Sequence, residues 1–128
     1  MNNMNSIDKY FEEKFHEETF SQMLLRLIDE RNLSDVEVYK NAFIDRRLFS
    51  KIRCDKDYKP SKKVVIRLAL SLKLDNKTSK KLIKKAGYIL TGSSKFDLSI
   101  RYCIENEIYD LMKVNEIVFE QTNLTLLD

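Results

Sequence analysis

Arg46, Arg47 and Ser50 are the residues whose types and spacing point most directly to chemistry. They fall in one short stretch, Asp45-Arg46-Arg47-Leu48-Phe49-Ser50-Lys51-Ile52-Arg53. An arginine offers two donors in a geometry that matches O6 and N7 of a guanine edge, so adjacent arginines near a helix start suit reading of the DNA major groove. Lys51 and Arg53, further along, suit phosphate contacts, as do Lys56, Lys59, Lys62 and Lys63 beyond them. Such contacts position a protein on a duplex without specifying sequence. Asp45 reads as a helix cap and not as a base contact.

The charge pattern supports a polyanionic partner. The 128 residues hold 23 Lys and Arg against 20 Asp and Glu, a net charge of only +3. Residues 1–43 carry five basic and nine acidic groups, residues 44–85 fifteen and four, and residues 86–128 three and seven. A centre of +11 therefore lies between flanks of −4 each, and such a centre attracts nucleic acid. The alternative is a solvated basic face with no ligand. Lys77, Lys80, Lys81, Lys84 and Lys85 are read that way, on a helix that need not share the groove-facing side. Tyr58 either stacks on a base or covers the core.

Catalysis finds little support. His16 is the only histidine, and no serine or second metal ligand is marked out beside it. Glu12, Glu13, Glu17 and Glu18 read as a helix surface. Gly87 and Gly92 are the only glycines, which excludes a glycine-cradled phosphate site. Cys54 and Cys103 lack ligand spacing and are read as reduced thiols of a cytoplasmic protein. No targeting segment or membrane-length apolar run is visible. No cofactor, metal, membrane or enzymatic activity is expected.

The elements that must position the arginines are short helices. Phe20, Met23, Leu24, Leu27 and Ile28 form an apolar stripe over 20–31, with Thr19 and Gln22 as a capping box. Ser34 and Glu37 repeat that box before a short helix to about Ala42, marked by Val36, Tyr39 and Phe43. A helix follows from Asp45, with Leu48, Phe49 and Ile52 inward. Two short helices joined by so tight a junction form a helix-turn-helix arrangement. Ser61 caps a helix with Val65, Leu68, Ala69 and Leu72 inward and Lys62, Lys63 and Arg67 on exposed positions. Further helices are expected over 77–86, from Ser94 and Asp97 to about Asn106, and over 109–119. Ile7 to Phe15 forms a short first helix that either docks or frays. The tail with Leu124, Leu126 and Leu127 either packs or sits in a partner.

The stretch Leu33 to Asp75, with Pro60-Ser61, Leu68-Ala69 and Leu74-Asp75, resembles the repressor-type helix-turn-helix fold of phage repressors and XRE-like regulators. That resemblance covers about residues 19–86. It implies a five-helix unit that binds duplex DNA through the helix from Asp45. Two features depart from it. The Glu-x-Gly that usually follows the recognition helix is replaced by Ile52-Arg53-Cys54-Asp55, and about forty residues follow the unit. The segments 20–30, 45–53, 58–62, 86–88 and 93–97 are also similar to a helical domain of Firmicutes proteins, found alone or behind macro domains. That second resemblance bears on fold and leaves activity open.

The expectation is an all-α, compact bundle of six to eight short helices. It comprises a polar arm or short helix at 1–18, a phage-repressor-like helix-turn-helix core at 19–86, and a C-terminal helical extension at 87–128 packed with the core as one domain. Its expected function is non-enzymatic binding of duplex DNA, as a transcriptional regulator, with homodimerisation through residues 94–128. The alternative is a protein-interaction module, or a small inhibitor in phage–host conflict, that uses the same fold without DNA.

Overall fold

The computed structural model describes residues 5–128; the first four residues of the expected polar arm lie outside it. Among the described residues the chain is a compact bundle of eight short helices with no strand. These are α1 (Ser6–Lys14), α2 (Phe20–Glu30), α3 (Asp35–Asn41), α4 (Arg46–Cys54), α5 (Lys62–Ser71), α6 (Asn76–Lys85), α7 (Lys95–Glu105) and α8 (Leu111–Thr122).

Local chemistry sets where the helices start. Thr19 and Gln22 close a full capping box on α2, as Ser34 and Glu37 do on α3. Asp45 accepts from the Arg47 amide at 2.6 Å, Ser61 from Val64 at 3.3 Å, and Asp75 from Thr78 at 2.8 Å. Thr78 also holds the Asp75 carboxyl below its usual range by that hydrogen bonding. Ser94 caps α7 through the Asp97 amide, but the Asp97 carboxylate does not turn back to complete a box. It reaches instead to Thr91 and Lys62.

Helix exits explain how a chain with two glycines ends so many helices. Asn32, Phe43, Lys73 and Glu107 each take a left-handed φ between 53° and 56° just past α2, α3, α5 and α7. The next amide then bonds back into the last turn: Leu33 to Ile28, Ile44 to Tyr39, Leu74 to Ala69 and Ile108 to Cys103. Gly87 does the same after α6, at φ 88°, with Tyr88 bonded to Ile83. A Cβ on Gly87 would lie 3.1 Å from Lys59 Nζ, so glycine serves both the turn and a close approach.

One continuous core runs from Phe20 of α2 to Leu126 in the tail. α5 is its axis. Val64 through Leu70 are all buried, because α3, α6 and α8 pack around this helix. The expected one-sided stripe on α5 is thus corrected to burial on all sides, and Arg67, expected on the surface, is only 7% exposed. In α3 the buried anchor is Val38, with Tyr39 half-buried, whereas Val36 and Phe43 face solvent. Cys103 is buried and Cys54 exposed, both as free thiols, and burial pushes the Cys103 thiol up to about 11.

The tail packs on its own chain. Asn115 Oδ1 accepts from the Leu126 and Leu127 amides at 2.7 and 3.0 Å, and Leu126 is fully buried. α1 buries no residue; Ile7, Tyr10, Phe11 and Phe15 are all exposed. No helix of the described residues is long and apolar enough to cross a membrane.

Candidate nucleic-acid interface

α4 is held firmly on its inner side. Phe49 and Ile52 enter the core, and the Tyr39 ring lies 5.8 Å from that of Phe49. The turn leading into α4 is gripped from α5. Arg67 Nε donates to the Ala42 carbonyl at 2.9 Å, and Arg67 Nη2 donates to the Phe43 carbonyl. Two carbonyls of the turn, that of Ala42 buried and that of Phe43 partly so, are thereby paired by one fork of donors. Burial lowers the Arg67 pKa from its ordinary value, yet an arginine keeps its charge at any pH a protein meets. Arg67 is therefore a clamp on the turn, where the sequence places it on the surface. The available signal was its setting, Val65-Ile66-Arg67-Leu68-Ala69, a lone cation inside an apolar run.

The outer side of α4 is open. Arg46, Arg47 and Ser50 are all exposed, and neither arginine has an ion-pair partner among the described residues. The Ser50 hydroxyl lies 4.0 Å from the Cys54 sulfur, one turn on. α4 packs on α2 and α3, whereas α7 and α8 pack on each other and against α6 and α5.

The other six candidates divide by partner. Arg53 Nη2 meets Asp35 Oδ1 of α3 at 2.7 Å, which raises the arginine pKa further. Lys51 Nζ sits 5.4 Å from the Tyr58 ring centroid, and Lys59 Nζ 4.9 Å from that of Tyr88. Tyr58 is half-buried against the core, while the Tyr88 hydroxyl donates to the Pro60 carbonyl at 2.8 Å. Lys56 is exposed.

Lys62 and Lys63 are each engaged by a carboxylate of the same chain. Lys62 Nζ reaches both oxygens of Asp97, at 2.9 and 3.0 Å, and the Asp97 side chain is only 4% exposed. The same carboxylate accepts from the Thr91 amide at 2.8 Å and from its hydroxyl at 3.3 Å. Lys62 thus neutralises a buried charge. Lys63 pairs with Asp128 at 2.8 Å, tying the tail to the start of α5. That bond holds the Asp128 carboxyl below its usual range. The surroundings of these two lysines account for them without a ligand.

A second basic surface was not anticipated. Lys56 and Lys59, in the loop after α4, share a groove of about 920 Å³ with Lys81, Lys84 and Lys85 of α6. The spacing 81, 84, 85 places three lysines on one helix face. That this face meets the 56–60 loop is a tertiary fact with no local sequence signal. No group of three or more metal-ligating side chains occurs among the described residues. Set against family models, curated proteins and solved structures, the chain gives no match in any of the three.

Proposed function

We propose that the chain is a non-enzymatic DNA-binding protein of the transcriptional-regulator type, in which α3 and α4 act as a helix-turn-helix and α4 enters the major groove. Arg46, Arg47 and Ser50 face the bases. Lys51, Arg53 and Lys56 face phosphates, with Arg53 exchanging Asp35 for a phosphate oxygen on docking. Lys62 and Lys63 contribute field more than contact, because each already has a carboxylate.

One observation carries this reading: the arginines at the start of α4 are bare while the back of the helix and its turn are locked. A rigid helix that presents unpaired arginines loses little freedom on binding, and bidentate contact to guanine needs fixed geometry. The proposal is tested by titrating random and genomic duplexes at 50 and 200 mM salt. Binding should weaken steeply with salt. Arg46→Ala and Arg47→Ala should each change preference between sites, by roughly 5- to 150-fold at the cognate base pair. Lys56→Ala should weaken all duplexes alike. Absence of duplex binding at low salt overturns the proposal.

A second reading, self-association through residues 94–128, is favoured by exposed apolar side chains on the last two helices. Leu98 and Tyr102 lie one turn apart on α7, and Met112 and Phe119 are exposed on α8. A symmetric dimer would present two copies of α4 to paired half-sites. Light scattering that finds only monomer at working concentrations removes this reading.

A further inference from the structure

We infer that the groove between α6 and the 56–60 loop binds the sugar-phosphate backbone of a single-stranded nucleic acid, independently of α4. Its walls are lysine-rich on three separate elements: Lys14 at the end of α1, Lys56 and Lys59 in the loop, and Lys81 and Lys84 on α6. Two of the three acids in the lining are already paired with cations of the same lining. Glu17 is bonded to Lys85 at 3.0 Å and Glu18 to Arg26 at 2.6 Å, which leaves Asp57 as the remaining carboxylate of the lining. Arg26 in turn holds the Glu18 carboxyl ionised by that hydrogen bond. Five lysines facing one aspartate make a strongly positive trough.

Two further features favour a single strand over a duplex. The cations are lysines, compact charges on flexible stems that follow an irregular backbone without demanding the geometry of an arginine fork. The same groove is rimmed by Phe15, 85% exposed, and by the half-buried Tyr58. An almost fully exposed phenyl ring beside a row of lysines matches the pairing of charged track and stacking platform that single-strand binders use. Bases within a duplex keep their faces covered and cannot use such a ring.

The test is fluorescence anisotropy with a labelled oligothymidine of about twelve nucleotides, using the intact chain at 50 and 200 mM salt. With five lysines engaged, affinity should fall about 100-fold between those conditions. Lys81→Gln with Lys84→Gln should cost at least about tenfold. Phe15→Ala should cost about fivefold or more if a base stacks there. Glu17→Gln should release Lys85 to the strand and steepen the salt dependence by about 0.7 logarithmic units. All these side chains are exposed or on the surface, and unchanged circular dichroism establishes that the variants fold. An unchanged affinity of the double lysine variant overturns the inference. So does equal competition by inorganic polyphosphate combined with no effect of Phe15→Ala, which would reduce the groove to plain charge attraction. The same variants are titrated with duplex DNA in parallel. Loss of oligothymidine binding in the groove variants with duplex binding intact is the result expected. A wild-type chain that binds oligothymidine but no duplex counts against α4 alone, and one that binds duplex but no oligothymidine counts against the groove alone.

Discussion

α4 and α5 are neighbours in sequence and both are rich in cations, yet they use them in opposite ways. α5 carries Lys62, Lys63 and Arg67, and every one is bonded within the chain: to Asp97, to Asp128, and to the carbonyls of Ala42 and Phe43. α4 ties Arg53 to Asp35 and sets Lys51 over the Tyr58 ring near its end, but it opens with Arg46 and Arg47, and both project into solvent. The difference lies in what surrounds each helix. α5 is enclosed by α3, α6 and α8, so its long side chains meet protein; α4 is backed by α2 and α3 on one side only. A run of basic residues therefore measures the chance of a polyanion site poorly, because burial decides which charges remain for a partner.

The largest effect that would break this contrast concerns Arg67. Arg67→Leu keeps the volume apolar but strips the donors from two carbonyls, and should destabilise the fold by about 3 kcal/mol. A denaturant midpoint unchanged from wild type would mean that the clamp is dispensable. Next comes Asp97→Ala, which leaves Lys62 and the Thr91 amide without their acceptor; about 2 kcal/mol is expected. Asp97→Asn should cost less, since an amide oxygen still accepts from Thr91.

Arg46→Ala and Arg47→Ala sit at the other pole. Neither should move stability by more than about 0.5 kcal/mol, although both should alter duplex binding. Equal losses of stability at Arg46 and Arg67 would erase the distinction between the two helices. The smallest effect is expected at the Lys63–Asp128 pair, which is exposed and screened. Lys63 lowers the Asp128 carboxyl below its ordinary value of 3.8, so the folded state favours the ionised form. The contribution of the pair is complete above pH 3.8 and is lost as pH falls through the lowered value. Acid titration of Asp128→Asn beside wild type should show their stabilities converging only in that acidic window.

Much of the fold was legible because helix starts are local chemistry. Thr19 with Gln22, Ser34 with Glu37, Asp45, Ser61 and Ser94 all cap helices from within a few residues, and the periodic apolar side chains of α2, α7 and α8 carry the rest. Burial was less legible where partners are remote. Arg67 finds its carbonyls 24 and 25 residues upstream and Lys62 finds Asp97 35 residues downstream; the apolar run around Arg67 hints at its burial, but nothing near either residue names its partner. α3 is too short for periodicity to choose between Val36 and Val38, so its inward residue was settled by packing. Arg46, Arg47 and Ser50 could be placed on an outer face because α4 is amphipathic. The convergence of the α6 lysines with the 56–60 loop depends on how α2, α5 and α6 stack, which no local pattern encodes.

The left-handed Phe43 bears on whether the α3–α4 pair can exist alone. A phenylalanine at φ 55° is uphill for an isolated chain by roughly 1–2 kcal/mol. The groups that hold it there, the Arg67 fork and the packed Tyr39 and Phe49 rings, include a helix that begins well beyond α4. A peptide cut from residues 34–55 keeps both of its caps and still lacks the outside grip on its turn. Its two helices should not hold their mutual angle. The surface offered by α4 is thus an on-or-off property of the assembled bundle. Any event that loosens α5, whether heat, proteolysis or a core substitution far from Arg46, switches that surface off without touching it.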